Sequence, residues 1–138
     1  MAAATAIGFG WRMRNGRVRV GQPAAAAAPV LTAAELGHVL GVRATLLQFS
    51  SAFCAPCRAT RQILAEVAGM VDGVRHVEID AESRLDLVRQ LDVRRTPTTF
   101  VLGPGGQVTH RASGQPRKAD VIAALGSAVR NAVPGGAR

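Results

Sequence analysis

From residue 44 onward the chain switches repeatedly between short apolar runs and amphipathic stretches. "ATLLQF" (44–49) is an apolar run suited to a buried strand. "VRHVEID" (74–80) alternates with a period of two and predicts a second strand. "TTFVL" (98–102) and "QVTHRA" (107–112) flank "GPGG" and predict a hairpin. Between them the spacing becomes helical. Residues 55–70 carry Ile63, Leu64 and Val67 on one side, and residues 82–93 carry Leu85, Val88 and Leu91 along one face. The capping box "TAAE" (32–35) opens a short helix bearing Leu36, Val39 and Leu40, which Gly41 stops. Pro116 opens a last helix, 116–132.

The resulting order is α-β-α-β-α-β-β-α. Strands joined through a helix pair in parallel and hairpin strands pair antiparallel. The predicted fold class is therefore α/β, a central mixed β-sheet flanked by α-helices on both faces. A length of 138 residues suits one domain with a real core. With 48% hydrophobic and 19% charged residues, the composition is that of a globular chain and excludes a disordered one. Aromatics make up only 4% and Tyr is absent, so Leu, Val, Ile and Ala must build the core.

Residues 1–29 read as a basic, Ala-rich tail and linker, 30–133 as the folded domain and 134–138 as a C-terminal tail. The apolar run Met1 to Trp11 is shorter than the roughly 20 residues that span a bilayer. It is also unlike a signal peptide, because its positive charges follow the apolar stretch. It resembles the last half of a membrane-spanning helix with a basic flank. Two expectations follow: the native start lies upstream, or the segment lies on a membrane surface. The excess of cations after the apolar run then places the domain in the cytoplasm, tethered to the inner face of the membrane. A loosely packed tail is the alternative.

The formal net charge is +8, and Lys118 is the only lysine. Arg12, Arg14, Arg17 and Arg19 meet no acidic residue before Glu35, so half of the excess lies in the first twenty residues. No stripe of arginine interleaved with aromatics appears, and no nucleic-acid partner is expected.

Candidate chemistry centres on "FCAPCRATR" (53–61), which holds both cysteines of the chain, Cys54 and Cys57. A single close pair staples little, because the loop it closes is tiny. Three readings compete: a redox pair, part of a zinc site, or two inert apolar side chains. The pair follows a buried strand and opens a helix, whose free N–H groups and partial positive charge stabilise a thiolate. Cys54 precedes the helix proper and is the expected exposed nucleophile. Cys57, one turn on, is the shielded resolving thiol, on the same face and close enough to bridge. Pro56 suits a helix start, and Arg58 adds positive charge nearby. A zinc site needs four ligands, but there is no second pair, and His38, His76 and His110 are far apart in sequence. No metal and no cofactor are expected.

"RRTPTTF" (94–100) places Pro97 directly before an apolar strand, a position compatible with its missing N–H. A cis Thr96–Pro97 bond would turn the Thr96 backbone outward to meet an extended substrate. An ordinary trans proline at a strand start is the other reading.

Taken together, "FCAPC", "VEID", "TPTTFVL" and "PGGQV" in this order resemble the thioredoxin family over roughly residues 31–132. The resemblance implies a thioredoxin-like fold and dithiol–disulfide exchange on protein substrates, without a bound cofactor. Cys54 would match the attacking cysteine, Cys57 the resolving one, Pro97 the cis-proline and Gly114 the glycine of the substrate groove. Phe53, Ala55, Pro56 and Thr96 would complete the substrate-binding surface. Implied partners are disulfide-bearing proteins and a reductase or other electron donor, and a monomer is expected.

Departures from the family pattern are specific. Phe53 replaces a tryptophan, Ala55 a glycine and Thr96 an isoleucine. Gln48 stands where the family carries a buried aspartate, and His76 stands near the place of that aspartate's lysine partner. Gln cannot ionise, so proton transfer at Cys57 falls to water and a slower or differently poised enzyme is expected. A thioredoxin-fold binding or redox-sensing module with little turnover is the alternative function. A glutaredoxin-like enzyme is a weaker one, because no clear glutathione site is found.

Overall fold

The computed structural model describes residues 19–20 and 28–131. The elements are β1 (Arg19–Val20), α1 (Ala33–Leu36), β2 (Ala44–Ser50), α2 (Ala55–Met70), β3 (Val74–Asp80), α3 (Leu85–Gln90), β4 (Thr98–Leu102), β5 (Val108–Ser113) and α4 (Lys118–Asn131). The sheet order is β1-β5-β4-β2-β3. β2 and β3 are parallel, with Gln48 opposite Glu78, and β2 and β4 are antiparallel, with Gln48 opposite Thr99. β4 and β5 form the antiparallel hairpin. The mixed sheet expected from the element order is present.

β2 is buried along its whole length because it sits inside the sheet with helices on both faces. On one face Ala44, Leu46 and Val101 meet Leu64 and Val67 of α2 and Val121, Ala124, Leu125 and Ala128 of α4. On the other, Leu47, Phe49, Val77, Ile79 and Phe100 meet Leu36 of α1 and Leu87 and Leu91 around α3. Phe49 and Phe100 pack edge to face, with ring centroids 5.8 Å apart. Burying each such aliphatic side chain contributes about 1.5–3 kcal/mol, so both layers hold the helices in place. α2 carries Cys57 and is capped by Cys54, so its anchor on the sheet is what fixes the position of the cysteine pair.

Three expectations are corrected. The first helix ends at Leu36, capped by Gly37 in the left-handed region (φ 70°), and does not continue to Gly41. Val39 is exposed. Gly41 serves a different purpose, since a Cβ there would lie 2.0 Å from the Ala44 carbonyl oxygen. The third predicted helix, 82–93, is reduced to Leu85–Gln90. Its buried contacts are Leu87 and Leu91, whereas Leu85 is exposed, because Asp80 holds the Glu82 N–H and the Ser83 hydroxyl in a turn. Finally, Arg19–Val20, within the stretch read as a tail, pairs antiparallel with Arg111 and His110 of β5. The rest of that tail up to residue 27, and the C-terminal tail, lie outside the described residues, so the membrane-anchor reading of Met1 to Trp11 does too. Among the described residues no helix is long and apolar enough to cross a membrane.

Candidate active site

The β2 strand runs out of the sheet at Ser50 and turns through residues 51–53 into α2. Phe53, the residue before the first cysteine, has φ 58° and a side chain fully in solvent (103% relative exposure). A left-handed backbone at a non-glycine residue is strained, and such strain gathers at functional turns. Cys54 is the N-cap of α2, and Pro56 occupies the first turn, where no N–H is needed. Ala55 and Pro56 are exposed, Cys54 is half-buried and Cys57 is buried.

Cys54 and Cys57 are joined as a disulfide, with Cα atoms 5.2 Å apart. The Cys57 backbone N–H points at Cys54 Sγ at 3.2 Å. In the reduced pair, that donor and the positive end of the sixteen-residue helix would act on the sulfur of the exposed residue and favour its thiolate.

Across from the pair, the Thr96–Pro97 peptide is cis. Thr96 Oγ1 lies 3.9 Å from Cys54 Sγ and 2.7 Å from Ser51 Oγ, which ties the proline loop to the turn before α2. The Gly114 N–H donates to the Pro97 carbonyl at 2.8 Å, with Gly114 at φ 83°. Every site residue expected from the sequence therefore sits on one of three adjoining segments: Phe53, Cys54, Ala55, Pro56 and Cys57 on the first, Thr96 and Pro97 on the second, Gly114 on the third.

Beneath Cys57 lies a polar seam in an otherwise apolar layer. Gln48 is fully buried, and its Nε2 donates to the Cys57 carbonyl and to Ser50 Oγ, each at 2.9 Å. Its Oε1 faces His76 Nε2 at 3.0 Å. The opposite amide orientation would set oxygen against the Cys57 carbonyl oxygen, so His76 must donate through Nε2–H. The Ser50 hydroxyl in turn donates to Glu78 Oε2 at 3.0 Å, and Arg61 closes the chain by donating to Glu78 at 2.8 Å. Burial pushes the His76 imidazole below its ordinary range, while Glu78 pulls it back up and Arg61 lowers it further.

No ionisable group stands at the Gln48 position, and each bond of the seam has a set direction. The seam positions the helix N-terminus; its amide offers the Cys57 thiol no proton acceptor. Ser50, Ser51, Arg61 and Glu78 were not singled out from the sequence. The available signal was Gln48 and Ser50 two apart in a buried strand, matched by His76 and Glu78 two apart in the next. Among the described residues no three His, Cys, Asp or Glu side chains are grouped to hold a metal ion.

An α/β sheet with a cystine at a helix N-cap facing a cis-proline defines a class of thiol-exchange folds. The thioredoxin family model matches residues 30–127, and the chain belongs to the thioredoxin family. It is 35% identical over 63 residues to thioredoxin H4-1 of Oryza sativa subsp. japonica, covering 46% of this chain and 48% of that one. It is 29% identical over 77 residues to the thioredoxin of Mycoplasma pneumoniae, covering 56% and 74%. The chain spans about half the length of the first curated relatives it matches. Among solved structures, thioredoxin NaTrxh from Nicotiana alata superposes with a TM-score of 0.56 at 20% identity, covering 63% of this chain and 74% of that one. The malaria parasite thioredoxin-2 gives 0.59 at 16% identity, covering 79% and 99%. At that identity the structures speak for the fold alone.

Proposed function

We propose that the protein is a thiol–disulfide oxidoreductase that reduces protein disulfides through Cys54 and Cys57. The observation that carries the reading is the half-buried Cys54 bonded to buried Cys57 at the α2 N-terminus, opposite cis Pro97. In the reduced protein the Cys54 thiolate attacks one sulfur of a substrate disulfide. The substrate S–S bond breaks, one substrate thiolate leaves and takes a proton from water, and a mixed disulfide remains. Cys57, deprotonated to water, then attacks Cys54 Sγ and expels the second substrate thiolate. Two electrons have passed to the substrate, and the protein holds the Cys54–Cys57 disulfide. A reductase or other electron donor must reduce it for the next turn.

A Cys57→Ser variant tests this reading, since it should trap a mixed disulfide between Cys54 and a disulfide-bearing protein, visible as a thiol-labile adduct by mass. A Cys54→Ser change should abolish both adduct and turnover. Absence of an adduct with fully reduced Cys57→Ser protein would sink the proposal.

Gln48 favours one second reading, a binding or redox-sensing module with little turnover. If Cys54→Ser leaves the biological role intact, that reading replaces the first. The tail carries the remaining part of the proposal: a monomeric domain held at the cytoplasmic face of a membrane through the apolar run Met1 to Trp11. Fractionation of the natural gene product tests it, and a wholly soluble product would remove the tether.

A further inference from the structure

The three segments that meet at the cystine are basic, and only part of their charge is neutralised. Residues 51–62 carry Arg58 and Arg61, residues 92–98 carry Arg94 and Arg95, and residues 113–119 carry Arg117 and Lys118, with Asp92 the only acid in all three. Arg61 is held by Glu78 at 2.8 Å, Lys118 by Glu66 at 3.0 Å and Arg94 by Asp92 at 3.2 Å. Arg58 and Arg117 are exposed and have no ion-pair partner among the described residues. Arg58 is one residue beyond Cys57, and Arg117 is three beyond Gly114. Between these cations the surface is apolar: Phe53, Ala55 and Pro56 are all in solvent.

We infer that this face selects disulfide-bearing proteins whose reducible cystine is flanked by acidic residues, with carboxylates set beside Arg58 and Arg117 and an apolar side chain on Phe53. The inference rests on the oxidoreductase reading and names the substrate class for it. The physical basis is range. Charges act over about 8 Å at physiological ionic strength, so cations within a turn or two of the reacting sulfur govern encounter and distant ones do not. Unpaired charge on one partner is matched by opposite charge on the other, which raises association rate more than it tightens contact. Arg43 and Arg130 supply an internal reference. Arg43 immediately precedes β2 and Arg130 lies in the last turn of α4. Both are at the end of the sheet opposite the cystine, roughly 20 Å away at strand rise.

The test uses two synthetic peptide disulfides of identical core, one flanked by Asp and Glu, the other by Lys. The full chain, fully reduced, is mixed with each, and every rate is divided by that of the neutral reductant dithiothreitol. The acidic peptide should react roughly tenfold faster at low salt, and the gap should close at high salt. The double change Arg58→Glu with Arg117→Glu should erase or invert the preference. Arg43→Glu with Arg130→Glu alters net charge equally and should keep it. Equal rates for the two peptides, or equal effects of the two double variants, overturn the inference alone. Reduction of neither peptide overturns the oxidoreductase reading and this inference with it.

Discussion

Gln48 donates to the carbonyl of Cys57 at 2.9 Å while its own carbonyl faces His76 at 3.0 Å, so a neutral amide joins the redox helix to β2 and β3. Gln48→Leu would keep the volume but leave His76 Nε2–H and the Cys57 carbonyl short of a partner in a buried layer. A loss of about 1–3 kcal/mol in urea unfolding is expected. Gln48→Glu should behave differently. Burial raises a carboxyl's pKa in the folded state above its unfolded value. Its stability relative to the parent should then be highest at acid pH and be lost as pH rises through the folded value. A variant whose stability tracked the parent at every pH would show that the site is wet.

His76 gives the natural protein a pH dependence of the opposite sign. Its pKa is lowered, chiefly by burial, and that of His110 is lowered by burial too. The unfolded chain therefore binds more protons than the folded one below the ordinary value of 6.5. Stability is fully present above 6.5 and is lost as pH falls through the folded values. Urea midpoints measured between about pH 5 and 7, where carboxylates stay ionised, should rise with pH. His76→Gln should flatten the part due to His76 and leave that of His110. An unchanged slope in His76→Gln would contradict this assignment.

Phe53 combines a left-handed backbone with a fully exposed side chain. Phe53→Gly removes the steric conflict and no buried contact, although glycine's freer unfolded chain offsets part of the gain. A net stabilisation of about 0.5–1 kcal/mol is expected. The rate with peptides that carry an apolar residue beside the cystine should fall in the same variant. A less stable Phe53→Gly protein would mean that the ring is held against the surface.

Thr99 is paired with Gln48 across β2 and β4, and its Oγ1 is buried without a hydrogen-bond partner among the described residues. Thr99→Val exchanges that hydroxyl for a methyl of similar size, so thermal unfolding should show a gain of about 1 kcal/mol. A loss would indicate that the hydroxyl is satisfied within the seam.

Legibility followed the length and sharpness of each local pattern. The helix Ala55–Met70 and the strands Val74–Asp80 and Thr98–Leu102 have the bounds expected from the sequence, because each has a clear period and a turn at either end. For the first helix the sequence offers both Gly37 and Gly41 as stops, and the structure ends it at the left-handed Gly37, leaving Gly41 to its close approach to the Ala44 carbonyl. In 82–93 the helical period puts Leu85 on the apolar face with Val88 and Leu91, whereas the structure buries Leu87 and exposes Leu85. Which one is buried depends on where the Asp80 turn releases the chain into the helix.

At the site, the chain alone determined what is local: two cysteines at a helix start, a proline at a strand start, a glycine after the hairpin, and a glutamine in a buried strand. Those are properties of residue type and short spacing, and covalent connectivity carries them. Tertiary structure decided the rest. The parallel register of β2 and β3 brings Ser50 to Glu78, and the packing of α2 on β3 brings Arg61 there. Closure of the proline loop sets Thr96 against Ser51. Such contacts join residues far apart along the chain, and their partners are chosen by burial and register, which no local pattern encodes.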